Sequence, residues 1–184
     1  MVGQALAKKI ILMTIKRPII AKDPLPILRS YKIAVIGNSG IEKTHFLKSL
    51  RDSNPDQSSE STIGADVYPC RPLINSSRNI ANQFVFFDCS GRDEFAATRA
   101  EILRDMDAVV LCYNDKDSYI SLESRWVPEI GKKSPIVVCC LQPCTVPTNQ
   151  ARTWSNDRGF HFCTVSKEEP THLMTYLLDA LSLK

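Results

Sequence analysis

Short apolar runs alternate with stretches of helical periodicity along most of the chain. Residues 31–37 form an apolar, β-branched run that predicts a strand, and the apolar spacing over residues 43–50 predicts a helix directly after it. The runs 108–113 and 136–140 are continuously apolar, as in the interior strands of a parallel sheet. Strands that alternate with helices predict an α/β fold with a doubly wound sheet, whose ligand crevice lies at the carboxyl ends of the strands.

Two further strands and two further helices follow from the same patterns. Residues 65–73 and 83–89 predict the strands of a hairpin, joined by a turn-forming stretch at 75–79. Apolar residues recur at helical spacing over 119–130 and again over 173–181. We interpret both apolar stripes as core packing rather than as ligand sites.

The first 30 residues differ in pattern from the rest. Residues 4–17 mix apolar groups with lysines and resemble a short basic amphipathic segment, and the prolines at 24 and 26 break any helix. We therefore predict an N-terminal basic leader and linker at 1–30 and one domain at 31–184. The leader is either a loose or surface-docked segment or a peripheral contact with an anionic membrane. The last three residues contain no cysteine, so no prenylation is expected.

Composition narrows the class of protein. With 184 residues, 43% of them hydrophobic and 23% charged, the chain has the profile of one globular domain, and its net charge of +3 does not argue for nucleic-acid binding. Most of the seven cysteines lie in or beside apolar runs, which is typical of buried, reduced thiols. We expect a cytoplasmic protein, with attachment to a membrane or to an intracellular complex left open.

The segment between the first strand and the first helix carries the pattern of a phosphate loop. Lys43 can reach terminal phosphates and the Thr44 hydroxyl can ligate Mg²⁺, while the helix N-terminus adds positive potential. Glu42 occupies the place of the second glycine and brings a negative charge close to the phosphates. A strand-to-helix turn that binds nothing is the alternative. The candidate cofactor-binding residues are Gly37, Asn38, Ser39, Gly40, Ile41, Glu42, Lys43 and Thr44.

Three motifs in order resemble a known family. The loop at 37–44, the segment 61–66 and the segment 88–91 are similar to the phosphate loop, first switch and second switch of Rab-type small GTPases. The segments 107–113 and 125–130 resemble those of Rho and mitochondrial Rho relatives. The resemblance to Ras-superfamily small GTPases, with degenerate nucleotide-binding motifs, implies a P-loop NTPase-type, mostly parallel six-stranded sheet.

The resemblance also implies ligands and roles. GTP or GDP would bind with Mg²⁺, which Thr44 and Thr62 would ligate directly and Asp88 through water. The Gly91 amide would sense the γ-phosphate. The backbone amide of Ser166 would contact an oxygen of the nucleotide base, and Lys167, the next residue, would lie beside it. Protein effectors, or a larger complex, would bind switch regions 55–66 and 90–104.

Two departures from the family pattern weaken this expectation. Arg92 replaces the usual glutamine and cannot position water in the same way, so no residue is assigned a catalytic role and hydrolysis is expected to be weak or absent. Cys144 replaces the carboxylate that reads guanine, so base specificity is open.

These residues favour a GTP-binding molecular switch with weak or absent hydrolysis, acting in signalling or trafficking through protein partners. The alternative is a pseudo-GTPase, an interaction or scaffold module that binds no nucleotide. A phosphate-loop enzyme acting on another nucleotide or a small molecule is a third hypothesis.

Overall fold

The computed structural model describes residues 26–51, 61–70, 73–75, 79–131, 134–166 and 169–182. They form a mixed α/β domain in which helices pack against one sheet. The strands are β1 (Ile27–Ile36), β2 (Ala65–Pro69), β3 (Leu73–Asn75), β4 (Ile80–Cys89), β5 (Ala108–Tyr113), β6 (Ile136–Leu141) and β7 (His161–Val165). The helices are α1 (Lys43–Arg51), α2 (Ala96–Leu103), α3 (Lys116–Ser121), α4 (Val127–Ile130), α5 (Thr148–Asn156) and α6 (His172–Ser182).

Two short irregular helical turns complete these elements. A 3₁₀ turn at Asp93–Phe95 leads into α2, and a π turn at Leu122–Trp126 joins α3 to α4. Residues 116–130 therefore make one continuous helical segment with a wide turn in its middle, here called the π-turn segment. Its predicted apolar stripe is confirmed in part, since Leu122 and Trp126 are fully buried.

The sheet is mostly parallel, as predicted. Its strand order is β2-β4-β1-β5-β6-β7, and only β2 and β3 run antiparallel, both to β4. Because β2 and β3 pair with different parts of β4, they share one edge, and the sheet has six strand positions across its width. The hairpin strand predicted at 65–73 is thus two segments, and the turn residues 76–78 lie outside the described residues.

The first strand starts earlier than the sequence pattern indicated. β1 begins at Ile27 rather than at residue 31, because Ile27 to Ser30 continue the parallel ladder along β4. The strand therefore crosses the boundary predicted at residue 30 between leader and domain. Residues 4–17, with the predicted membrane contact, lie outside the described residues.

The core has two layers, one on each face of the sheet. β5 and β6 are buried along their whole length, and alternate residues face the two layers. All seven cysteines are free thiols and six of them are buried. Within the described part of the chain, none of the helices has the length and apolarity needed to cross a bilayer.

Candidate functional site

The loop at 37–44 connects the carboxyl end of β1 with the start of α1. Gly37 and Gly40 have φ angles of 145° and 79°, in the region that favours glycine. Glu42 also has a positive φ, 69°, although it carries a side chain. The loop thus keeps its glycine-type conformation at residue 42, at a cost of about 1–3 kcal/mol of backbone strain. The Glu42 side chain is exposed, so its charge is screened by solvent.

Lys43 lies inside the curve of this loop. Its side chain is 7% exposed, and its ammonium group donates hydrogen bonds to the carbonyl oxygens of Gly37, at 2.9 Å, and Asn38, at 2.7 Å. Burial lowers the pKa of Lys43, and the nearby Asp88 carboxylate opposes that effect. Because an ammonium group has three N–H donors, one donor is left to meet a phosphate oxygen.

The three predicted metal ligands come together although they are far apart in sequence. The Thr44 hydroxyl lies 3.0 Å from the Thr62 hydroxyl and donates a hydrogen bond to Asp88 Oδ2, and the Thr62 hydroxyl lies 3.3 Å from the same oxygen. Burial raises the pKa of Asp88. The hydrogen bond from Thr44 and the positive charge of Lys43 lower this pKa and so oppose the effect of burial.

Asp88 also has an oxygen atom to which none of the described residues donates. This Oδ1 atom is buried and accepts no hydrogen bond from the described part of the chain, which is costly for a carboxylate. Hydroxyl and carboxylate oxygens are the ligands that Mg²⁺ prefers. The donor set of Thr44, Thr62 and Asp88 therefore fits Mg²⁺, and the orphan oxygen is the atom such an ion or its bound water would satisfy.

The second switch touches the loop at Gly91. A Cβ on this residue would lie 2.6 Å from the Gly37 carbonyl oxygen, so only glycine fits here. The next side chain, Arg92, points away: it is 45% exposed and pairs with Glu94 at 2.7 Å. Arg92 is thus a surface residue bound within its own segment, and no catalytic role follows from its position.

The segment that would read the base lies at the ends of β6 and β7. The Gln142 amide donates to the Val165 carbonyl at 2.9 Å, which places residues 142–144 beside Ser166. The Cys144 amide donates to the Gln142 side-chain oxygen at 3.2 Å, and its thiol is partly exposed. The Ser166 hydroxyl accepts from the Glu169 amide at 3.3 Å. Lys167 lies outside the described residues.

Comparison with known families supports the same interpretation of the loop and switches. Residues 32–143, more than half of the chain, match the family described as Ras of Complex, Roc, domain of DAPkinase. The chain belongs to the Roc family. It is therefore a Ras-superfamily small GTPase domain, and its α/β sheet is the small GTPase fold.

Individual relatives are distant. The chain is 27% identical over 116 residues to EF-hand calcium-binding domain-containing protein 4B of Homo sapiens, which is 60% of this chain and 15% of that protein. It is 25% identical over 158 residues to Ras-related protein Rab-1D of Dictyostelium discoideum, which is 78% of this chain and 74% of that protein. It is 27% identical over 163 residues to DnaJ homolog subfamily C member 27 of Rattus norvegicus, covering 80% and 58%. The chain thus spans less than two thirds of the first and third of these proteins.

Roc-family and other Ras-like domains in general bind GTP or GDP with Mg²⁺ and engage effector proteins. In this chain, the loop residues predicted to bind the cofactor do not all face the same way. Ile41 is 3% exposed and packs in the core. The Asn38 side chain bonds to Ser121 and Trp126. These two residues can therefore offer a ligand only their backbone, whereas Ser39 and Gly40 are exposed.

Several residues of this Roc-family site were missed by sequence reasoning. Arg99 of α2 is 1% exposed and bonds to the backbone of the second switch, and Arg125 of the π-turn segment does the same. An arginine usually indicates a surface position, so nothing in the local pattern marked Arg99 as buried. The resemblance at 125–130 did select the segment that contains Trp126, but only as a helix of the fold.

Proposed function

We propose that this chain is a molecular switch that binds GTP or GDP with Mg²⁺ and hydrolyses GTP slowly or not at all. The observation that carries the proposal is the convergence of Thr44, Thr62 and Asp88, with the buried Asp88 Oδ1 accepting no hydrogen bond from the residues that the structure describes. Three distant segments meet in a set of oxygen atoms that fits Mg²⁺. When bound, the ion would supply positive charge to terminal phosphates held on the loop.

The phosphate side of the site supports binding. Lys43 keeps one donor and is fixed against the loop by two hydrogen bonds, so little side-chain entropy remains to be lost when a phosphate binds. Glu42 is exposed, which reduces its repulsion of the ligand. Ser39 and Gly40 are accessible, and their amides belong to the loop that precedes the N-terminus of α1.

Slow turnover follows from the second switch. Arg92 has no acceptor atom with which to orient water, and its guanidinium pairs with Glu94 in solvent. We therefore expect bound triphosphate to persist for long periods, unless a partner protein supplies the missing group.

A protein partner would contact both switch regions, residues 55–66 and 90–104, and the adjoining edge of the sheet. Ile63 is 77% exposed and Val67, on the edge strand β2, is 53% exposed. Ile63 directly follows Thr62 in the chain, so its position would depend on what Thr62 ligates. Residues 55–60 of the predicted first switch lie outside the described residues. Signalling or trafficking through such a partner, a cytoplasmic location and a membrane contact by residues 4–17 remain part of the proposal.

The alternative is a pseudo-GTPase that acts only as an interaction module. The observation that favours it is Glu42, a residue with a side chain held at φ 69° where the phosphate loop ordinarily has glycine. The substitution of Cys144 for the base-reading carboxylate points in the same direction.

Calorimetry with purified full-length chain decides between the two. The protein is stripped of nucleotide with a chelator, and Mg²⁺ with GDP or GTP is then titrated in. We expect saturable binding that is abolished by Lys43→Met and unchanged by Lys48→Met, a control on α1. If no heat is measured with either nucleotide and the melting temperature does not rise in their presence, the interaction-module alternative replaces the proposal. A GTP hydrolysis assay under the same conditions should give little or no product.

A further inference from the structure

Arg99 is a buried, charged residue whose guanidinium donates hydrogen bonds to backbone groups of the second switch. Its side chain is 1% exposed and forms an ion pair with Glu129, at 2.7 Å from Nε and 3.3 Å from Nη2. Its Nη1 donates to the carbonyl oxygens of Ser90 and Arg92, both at 2.7 Å. A buried guanidinium needs such partners, because an unpaired charge in this position would be strongly destabilising. Arg99 therefore fixes the backbone on both sides of Gly91.

Arg125 holds Gly91, the residue between Ser90 and Arg92. Its Nη2 donates to the Gly91 carbonyl at 2.9 Å and lies 2.7 Å from Asp93. Three successive carbonyl groups of the second switch are thus held by two arginine side chains. Before them, the Ser90 amide donates to Gly64 at 2.9 Å, at the end of the first switch.

The same helical segment also holds the phosphate loop. The Trp126 indole N–H donates to Asn38 Oδ1 at 2.8 Å, and Asn38 Nδ2 donates to Ser121 at 3.1 Å. The Trp126 ring centre lies 5.1 Å from the Arg99 guanidinium and 4.1 Å from that of Arg125, within cation–π range. The π turn that ends at Trp126 is a feature often found at functional sites. The loop and the second switch are consequently tied to one element.

We propose that Arg99, Arg125, Trp126 and Glu129, here called the arginine clamp, hold residues 90–92 against the phosphate loop in one conformation whether or not a nucleotide is bound. The second switch is then a constant face for a protein partner, and a nucleotide-dependent change falls on other parts of the chain. This inference rests on the proposed function in one respect, namely that the second switch is part of the partner-binding surface.

The charge-assisted hydrogen bonds explain why residues 90–92 would keep their conformation when a ligand binds. Each of the three carbonyls accepts from a guanidinium, and such bonds are roughly twice as strong as neutral ones. A phosphate on the loop would compete for the amides of this region but not for the carbonyl groups that the clamp holds. Movement of Gly91 would break its contact with Arg125 and disturb both contacts of Arg99.

Hydrogen–deuterium exchange on the full chain tests the clamp. Peptides covering residues 90–104 are followed in chelator-stripped protein and in protein with excess Mg²⁺ and GDP or a non-hydrolysable GTP analogue. We expect strong protection of the α2 amides without nucleotide and a change of less than about twofold on its addition. Exchange that is fast without nucleotide and slows at least about tenfold on its addition would overturn the proposal.

Matched variants separate the clamp from general stability. Arg99→Lys keeps the charge but replaces the three separate guanidinium nitrogen atoms, which face the carboxylate and the two carbonyls, with one nitrogen atom on a flexible stem. Exchange in residues 90–104 should therefore accelerate at least about tenfold. Arg152→Lys is the control, because Arg152 lies over Phe162 on another part of the fold. If Arg99→Lys does not fold, Glu129→Gln serves in its place. If the folded variant exchanges at the same rate as the unmodified chain, the result would contradict the clamp.

The outcome does not depend on whether nucleotide binds. Calorimetry on the same preparation reports binding separately, so absence of heat would count against the proposed function alone. The protection of residues 90–104 in stripped protein, and its loss in the variant, would still decide for or against the clamp.

Discussion

Gly91 lies so close to Gly37 that a Cβ added to Gly91 would stand 2.6 Å from the Gly37 carbonyl oxygen, and closer still to the Ser39 amide nitrogen. The second switch and the phosphate loop therefore meet backbone to backbone. Gly91 is needed here for space, since the atoms it would strike belong to main chain that cannot rotate away. The contact makes the position of the loop depend on the position of the second switch.

We predict that Gly91→Ala destabilises the fold by about 1–3 kcal/mol, as overpacking of a tight contact does. Urea unfolding measures the loss. Gly159→Ala is the control, since a Cβ there meets nothing within 4 Å and its cost comes from the φ of 71° alone. Stability of Gly91→Ala equal to that of the unmodified chain would mean that the loop and switch separate easily. In that case the contact would not be a constraint.

The parts of the fold that the sequence predicted are those where side-chain pattern and burial agree. β5 was predicted at its observed bounds, because its six apolar residues are buried on both faces of a parallel sheet. Helix α5 was not predicted, because only Ala151 and Ser155 of its residues are buried, Trp154 is partly buried and the others are polar. A helix with so narrow a buried stripe resembles a loop in sequence.

The site divides in a similar way. The phosphate-loop pattern selected Lys43 and Thr44, and the resemblance to small GTPases selected Thr62 and Asp88. In the structure the side chains of Thr44, Thr62 and Asp88 lie within hydrogen-bond distance of one another. The bonds from Arg99 to Ser90, Arg92 and Glu129 were not predictable, since they depend on how α2 packs against the second switch and the π-turn segment. Such contacts depend on tertiary packing, and the local sequence pattern does not indicate them.

We predict that Thr44→Ala removes the Mg²⁺ dependence of nucleotide binding, whereas Thr44→Ser retains it. Alanine deletes the hydroxyl that contacts both Thr62 and Asp88, while serine keeps an oxygen at the same position. Titration of GDP with and without Mg²⁺ should show an effect of at least about tenfold in the unmodified chain and in Thr44→Ser. Equal Mg²⁺ dependence in Thr44→Ala would exclude this residue as a ligand.

The N-terminus of the π-turn segment has a pH-sensitive cap. Asp115 accepts hydrogen bonds from the Ser118 amide, at 2.7 Å, and from its hydroxyl, at 2.6 Å. These bonds lower the pKa of Asp115 below its ordinary value of 3.8. Because the folded state favours the carboxylate, its contribution to stability is present above pH 3.8 and is lost as the pH falls through the lowered pKa.

We therefore predict that Asp115→Ala costs about 0.5–2 kcal/mol of unfolding free energy near neutral pH, the usual range for an N-cap. The difference from the unmodified chain should shrink on acidification below the ordinary aspartate pKa. Urea unfolding at a series of pH values gives both results. Asp117→Ala, on the same helix, controls for the general effect of removing a carboxylate. A difference that stays constant into acid would show that the Asp115 charge does not contribute.

Restoring a carboxylate at residue 144 should restore recognition of guanine. Cys144 is held by the bond from its amide to Gln142, at 3.2 Å, so an aspartate there would occupy the position from which the base is read. A charged hydrogen bond contributes about 1.5–3 kcal/mol, so we predict that Cys144→Asp binds GDP at least about tenfold more tightly than IDP, which lacks the 2-amino group. The unmodified chain and the matched control Cys144→Ser should bind the two nucleotides almost equally, as competition with a fluorescent GDP analogue would measure. If Cys144→Asp shows no preference, the base does not lie against residue 144, and the choice of nucleotide must be made elsewhere in the site.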